Sequence, residues 1–213
     1  MSDASRFLAF DCETGTLDPA KGDLLTAYFA ILDENFTIID ELDLKLKPEG
    51  RLPVAEGGAL ATNGINIEQH LLDPNTLTYA QGKEKLVTLI KKYLKKRGKY
   101  SNIIPFGYNI ASFDIAWVQY HLIDKTTWDS LVHYRCFDVM HDVDVLKRHG
   151  WLPPFSGPLT SMVEFFGVPK GEAHVAKDDI IMTVGVFKKI KELMDSKKNG
   201  GSTTDLISLL EAE

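Results

Sequence analysis

FLAFDCETGTL, residues Phe7 to Leu17, carries an apolar run straight into two carboxylates, Asp11 and Glu13, followed by small and flexible residues. An apolar run of this length reads as a buried strand. On a strand, residues i and i+2 point to the same face, about 7 Å apart at their Cα atoms. Asp11 and Glu13 therefore share a face, and Cys12 looks away as a packing residue. Two acids so placed repel and raise each other's pKa unless a basic partner, a metal or water answers their charge. Water at a sheet edge is the plain alternative, because acidic residues are mostly exposed.

Outward from this stretch, Leu24 to Leu32 is a second apolar run and Thr37 to Leu46 alternates through Ile39, Leu42, Leu44 and Leu46, with a turn at LDEN, Leu32 to Asn35. Three strands in a meander are predicted. Leu86, Ile90, Tyr93, Leu94 and Arg97 follow helical spacing, with Gly98 closing the helix. NIIPFGYN, Asn102 to Asn109, is extended again, and Ser112 is placed to cap a helix through Phe113, Ala116, Trp117, Tyr120 and His121. Val132 to Met140 reads as a short strand entering a helix to about His149, WLPPFSGP as a connection, and Thr160 to Phe166 as a brief helix ended by Gly167. Asp178 to Met194 is a long amphipathic helix. The fold class predicted is α/β: a mixed five-stranded sheet, antiparallel meander first and parallel strands after, with helices on both faces. Residues 1–195 form the domain, and 196–213 a flexible linker with a short C-terminal helix.

Composition sets the outer bounds. With 213 residues, 44% of them hydrophobic and 25% charged, the chain can bury one substantial core and is not disordered by composition. No stretch approaches the ~18 apolar residues of a membrane span, and Cys12 and Cys136 lack the spacing of a zinc site or disulfide framework. An intracellular, cytoplasmic and reducing location is expected. The net charge of −6 argues against a protein coated in positive charge. Lys83 to Lys99 nevertheless carries eight basic residues against Glu84 alone, which makes this segment +7 and the remainder −13. It is either a solvated helix face or a track for a nucleic-acid backbone, and the salt dependence of binding separates the two.

Two further clusters bear on the acidic pair. Asp114 ends GYNIASFD at a strand-to-helix junction, the edge where ligands sit in open α/β sheets, although an acid in a first helical turn is also favoured by the dipole alone. His174 and Asp179 fall in GEAHVAKDD at the entry to the long helix. At 100° per residue a helical His174 would stand about 140° from Asp179, so a shared site needs His174 in the preceding loop. A surface or capping histidine is the simpler alternative.

Taken in order, FDCETGTL, GYNIASFD and HVAKDD resemble the three motifs of the DnaQ-like 3′-to-5′ exonucleases, in the DEDDh subgroup whose last motif carries a histidine. The resemblance spans Phe7 to about Leu193. It departs at Val139, where the family usually has Thr after an Asp, and at Asn63-Gly64-Ile65-Asn66, where many relatives have a His-Gly-Ile-Thr-like stretch. The resemblance implies a ribonuclease H-like fold and two divalent cations, Mg2+ or Mn2+, held by Asp11, Glu13, Asp114 and Asp179. Oxygen ligands suit such ions, and a pair about 4 Å apart can stabilise the attacking and leaving oxygens of a phosphodiester displacement. His174 would be general base, and the product a nucleoside 5′-monophosphate from the 3′ end of single-stranded DNA or RNA. Thr14, Gly15, Thr16 and Leu17 would floor the terminal nucleotide, with Gly15 allowing close backbone approach and Leu17 wedging the base. Asn109 and Phe113 complete the expected substrate contacts, and Trp117 is assigned to the core. A catalytically silent nucleic-acid-binding module of the same fold is the alternative, although no chemistry-bearing residue is missing. A third reading, an unrelated acidic α/β domain, predicts no response to metal. The tail from Asp205 is read as docking on its own domain or on a partner such as a polymerase, and homodimerisation, seen in several relatives, stays open.

Overall fold

The computed structural model describes residues 5–98, 100–152, 157–171 and 174–198. Its strands are β1 (Arg6–Thr14), β2 (Leu24–Leu32), β3 (Ile38–Lys47), β4 (Thr76–Thr78), β5 (Lys96–Arg97), β6 (Tyr100–Ser101), β7 (Ile103–Gly107) and β8 (Phe137–Asp138). The helices are α1 (Gly57–Asn63), α2 (Ile67–Leu72), α3 (Tyr79–Tyr93), α4 (Asp114–His121), α5 (Lys125–Leu131), α6 (Val139–Arg148), α7 (Leu159–Phe165) and α8 (Ala176–Lys198). One six-stranded sheet has the order β4-β3-β2-β1-β7-β8, and β5 and β6 form a separate two-stranded ribbon. The meander β1–β2–β3 is antiparallel, while β7 runs parallel to β1 and β8 parallel to β7. This is the predicted mixed sheet with one strand more than expected. The addition, Thr76–Thr78, pairs parallel to β3 and is too short for any alternation to show.

The period-2 pattern of β1 divides the interior. Phe7 and Ala9 join Tyr28, Ala30 and residues of α6, α7 and α8 on one side, including Val143, Met162, Ile180 and Phe187. Leu8, Phe10 and Cys12 join Phe29, Ile31 and residues of α3, α4 and α5 on the other, including Leu86, Trp117 and Trp128. Trp117 is fully buried, as assigned. The apolar side chains of β1 are thus divided between two cores, which fixes the faces of Asp11 and Glu13 farther along the strand.

Three boundaries differ from the sequence reading, each for a local reason. Helix α3 stops at Tyr93, because Asn102 takes over its exit: the Asn102 side chain accepts from the Lys95 N–H at 2.5 Å and donates to the Tyr93 carbonyl at 3.3 Å. Lys96–Arg97 then pairs with Tyr100–Ser101, and Gly98, at φ 62°, belongs to that hairpin rather than to a helix cap. Helix α4 begins at Asp114 with Phe113 at its N-cap position and no side-chain cap, so Ser112 does not cap it. Helix α8 continues through Lys198, past the 195/196 boundary, while the linker and tail from Asn199 lie outside the described residues. Helices α1, α2 and α5 had no expectation; α1 buries none of its residues and so carries no apolar stripe to read. No helix of the described residues is long and apolar enough to cross a membrane.

Candidate active site

β1 pairs with β7 only from Arg6 to Ala9, so Asp11, Cys12 and Glu13 project beyond that ladder at the carboxyl end of the strand. Asp11 and Glu13 continue the Phe7–Ala9 face, against which α8 packs, and the first turn of α8 supplies Asp179. Asp114 arrives from the opposite face, in the first turn of α4, and is buried. The Cys12 backbone and thiol and the Asp114 backbone N–H lie beside this carboxylate and offset part of the rise in pKa that burial causes. Cys12 does look away from Asp11 and Glu13, as expected. The side it looks to is the one Asp114 comes from, however, so the thiol is a wall of the site and not packing alone.

His174 lies off the helix, as its spacing to Asp179 required. Its backbone is left-handed at φ 64°, and its N–H donates to Asp179 Oδ2 at 3.1 Å. That turn aims the ring back over the strand end, where ligand atoms of Glu13, His174 and Asp179 lie within 4.8 Å of one another. A cavity of about 640 Å3 opens there, and Asp11, Glu13, Asp114, Asp179, His174, Thr14, Thr16, Leu17, Asn109 and Phe113 all line it. Leu17 is 86% exposed at its mouth. Of the expected site residues, Gly15 is not in the lining. A Cβ there would meet the Val54 carbonyl oxygen at 2.3 Å, so the approach of its own chain already requires glycine at this position.

The electrostatics are one-sided. Burial, then the charges of Asp114, Asp179 and Glu13, pushes the Asp11 carboxyl well above the usual range. Burial and then Asp179 and Asp114 push Glu13 up to about 8; burial foremost pushes Asp114 up to about 7 and raises Asp179. Among the described lining residues there is no lysine or arginine, and Glu56 adds another acid. Lys177, next to Asp178 and Asp179 in sequence, is turned away: its Nζ lies 3.0 Å from both Glu41 carboxylate oxygens, and the Tyr28 hydroxyl donates to the same group at 2.6 Å. Carboxylates held together without a protein cation are a hard-oxygen donor set, and Asp11, Glu13, Asp114 and Asp179 fit divalent ions of the magnesium class on that chemistry.

Two aspartates that the sequence reading gave no site role hold the walls. The buried Asp138 carboxylate accepts the N–H groups of Asn109 at 2.8 Å, Ala111 at 3.0 Å and Met140 at 3.1 Å. It thereby sets the left-handed Asn109, φ 63°, and the loop into Asp114. The signal was present in CFDVM, but a strand-end Asp gives no hint of which loop it will bind. Asp138→Asn turns an acceptor into a donor facing one of these N–H groups. A loss of about 2 kcal/mol is expected, which a thermal melt reads as a Tm about 4–8 °C lower; an unchanged Tm would show that the loop does not depend on the carboxylate.

Asp23 has a fully buried side chain that receives Arg51 Nη1 and Nη2 at 2.5 and 2.8 Å, the Val54 N–H at 2.7 Å and the Tyr79 hydroxyl at 3.0 Å. Burial raises its pKa, but the guanidinium and these donors pull it below the usual range. The Asp23 carbonyl accepts from Gly15 N–H at 2.8 Å, and the Gly15 carbonyl accepts from Glu56 N–H at 2.8 Å. The Leu17 loop and the entry to α1, which both line the cavity, are therefore fastened through Asp23. Asn63 donates from Nδ2 to the Thr14 carbonyl at 3.3 Å and lines the cavity.

No family model matches the sequence, and no curated protein matches it. Solved structures do. Exonuclease I of E. coli, zinc-bound with single-stranded DNA, superposes with a TM-score of 0.69 at 21% identity over 91% of this chain and 42% of that one. The same enzyme with a dT13 oligonucleotide gives 0.70 at 20% identity over 92% and 43%. A moderately thermophilic exonuclease I from Methylocaldum szegediense gives 0.68 at 19% identity over 88% and 40%. The chain has the ribonuclease H-like fold of these proteins, and it spans less than half of their length.

Proposed function

We propose that this chain is a DnaQ-like exonuclease that removes nucleotides from the 3′ end of single-stranded nucleic acid in a metal-dependent hydrolysis. The observation that carries the reading is the convergence of Asp11, Glu13, Asp114, Asp179 and His174 from three separate segments on one cavity lined by no lysine or arginine among the described residues. The likeness to exonuclease I, whose structures include complexes with single-stranded DNA, supports the same reading. Asp11, Glu13, Asp114 and Asp179 would hold two divalent cations, Mg2+ or Mn2+, which when bound supply charge stabilisation to both oxygens of a phosphodiester displacement.

The chain's own residues do the rest. His174 takes a proton from the attacking water, whose oxygen forms a bond to phosphorus as the bond to the preceding 3′ oxygen breaks, leaving a 5′-monophosphate and a 3′ hydroxyl. Thr14 and Thr16 floor the terminal nucleotide, Leu17 presses on its base, and Asn109 and Phe113 contact it from the α4 side. The exposure of Leu17 favours a wedge over a packing role.

The test is degradation of a 3′-labelled oligonucleotide, offered as DNA and as RNA, with Mg2+, with chelator, and with Asp11→Ala. Mononucleotide release that needs the metal and Asp11 supports the reading. Release that survives both chelation and the substitution sinks it. Tight binding of the oligonucleotide with no release under any condition would favour the silent binding module.

A further inference from the structure

A cluster of aromatic rings stands at the surface, away from the carboxylates. His133 and Tyr134 stack with centroids 4.6 Å apart, and Tyr100 lies 5.8 Å from His133 and 5.4 Å from Tyr134. Tyr134 is 67% exposed and Tyr100 44%, and neither ring belongs to the two cores. The Arg135 guanidinium sits 5.4 Å from the Tyr134 ring centroid, and its Nε donates to the Tyr134 hydroxyl at 2.9 Å. A hollow of about 430 Å3 runs between these rings, and its one aliphatic lining residue, Val132, is buried.

The hollow itself is lined by one base and one acid, Lys125 and Asp129, and further cations stand near it. Lys83 and Lys92 of α3 are held by Asp124 and Asp40, and Lys125 by Asp129. Arg135, Lys95 and Lys96 are exposed, and none has an ion pair among the described residues; Lys96 opens the β5–β6 hairpin, opposite Ser101 and next to Tyr100's strand. Exposed ring faces beside cations that have no carboxylate partner among the described residues, with little aliphatic surface, suit bases and phosphates better than a dry protein interface.

The cluster also connects to the site. The His133 N–H donates to the Ile103 carbonyl at 2.6 Å, and four residues on, Phe137 and Asp138 pair with Phe106 and Gly107. Residues 133–138 thus follow the outer edge of β7 from the rings to Asp138, the carboxylate that sets the Asn109 loop. The path along β7 is about 13 Å, or about four stacked nucleotides at ~3.4 Å each.

We propose that Tyr100, His133, Tyr134 and Arg135 form a second contact for single-stranded nucleic acid, a stacking platform that holds the strand upstream of its 3′ terminus. The polarity of the strand rests on the nuclease reading; the contact itself does not. Removing two stacked rings weakens binding by at least tenfold on the usual scale of base stacking.

The test compares wild type, the double variant Tyr100→Ala/Tyr134→Ala, and Tyr134→Phe, which keeps the ring. Anisotropy of 5′-fluorescein-dT20 in chelator at low salt is expected to show at least tenfold weaker binding for the double variant and affinity within about twofold of wild type for Tyr134→Phe. With Mg2+, kcat/KM on dT20 is expected to fall about tenfold through KM, while dT3, too short to reach, is unaffected. Unchanged dT20 affinity overturns the platform, as does an equal loss on dT3 and dT20. Self-association in sedimentation that the double variant abolishes also overturns it, by assigning the rings to a contact between copies. If wild type cleaves neither oligonucleotide but the double variant still loses dT20 binding, the nuclease reading fails and the platform stands.

Discussion

His174→Asn lowers kcat on a 3′-labelled oligonucleotide by about 10²–10⁴-fold, the usual worth of a positioned general base, with Tm nearly unchanged. The choice of asparagine matters. His174 sits at φ 64° and donates its backbone N–H to Asp179 Oδ2, so the turn has a structural duty apart from the ring. Asparagine tolerates the left-handed region and keeps that N–H, whereas alanine would add backbone strain to the loss of the imidazole. The ring itself is exposed, and its removal leaves no buried group unpaired. A kcat within about threefold of wild type would remove His174 from the chemistry; equal losses in kcat and in Tm would assign it to the fold.

The metal-free protein is expected to lose stability as pH rises from 5 to 8.5, the reverse of what paired carboxylates produce. Glu13 and Asp114 hold their protons more tightly folded than unfolded, at about 8 and about 7. Their contribution is complete below the ordinary carboxylate range, falls progressively above it, and is gone once pH has passed about 7 for Asp114 and about 8 for Glu13. For Glu13, which keeps some contact with solvent, the loss is about 2 kcal/mol. In the chelated protein at pH 8.5, Glu13→Gln therefore raises Tm by about 4–8 °C, and at pH 5 it changes Tm little. Mg2+ added to wild type raises Tm at pH 8.5 more than at pH 5, because bound cations answer charges that protons otherwise neutralise. A Tm of the chelated protein that rises across this range would mean that the acids are not as crowded as their placement indicates.

The site was legible where side-chain chemistry and period coincide. The alternation of β1 assigned Asp11 and Glu13 to one face, and helical geometry required His174 to stand off α8 if it was to share a site with Asp179; His174 does lie outside α8. What could not be read depended on partners distant in the chain. The end of α3 is decided by Asn102, and the Asn109 loop by Asp138. The need for glycine at position 15 also comes from a distant partner, the Val54 carbonyl. Asp23 belongs to no motif, since a buried acid is recognisable only once Arg51, Val54 and Tyr79 have been brought to it.

The division of β1 between two cores has a consequence for evolution and engineering. Asp11, Glu13 and Asp179 are carried by the α8 side and Asp114 by the α4 side, so the spacing of the four acids measures how the two halves are seated on the sheet. A cavity-forming change in either half can shift one set against the other by fractions of an ångström without unfolding the chain. The carboxylate cluster is in effect a vernier on the docking of two hydrophobic layers, and it should register a misfit before a thermal melt does.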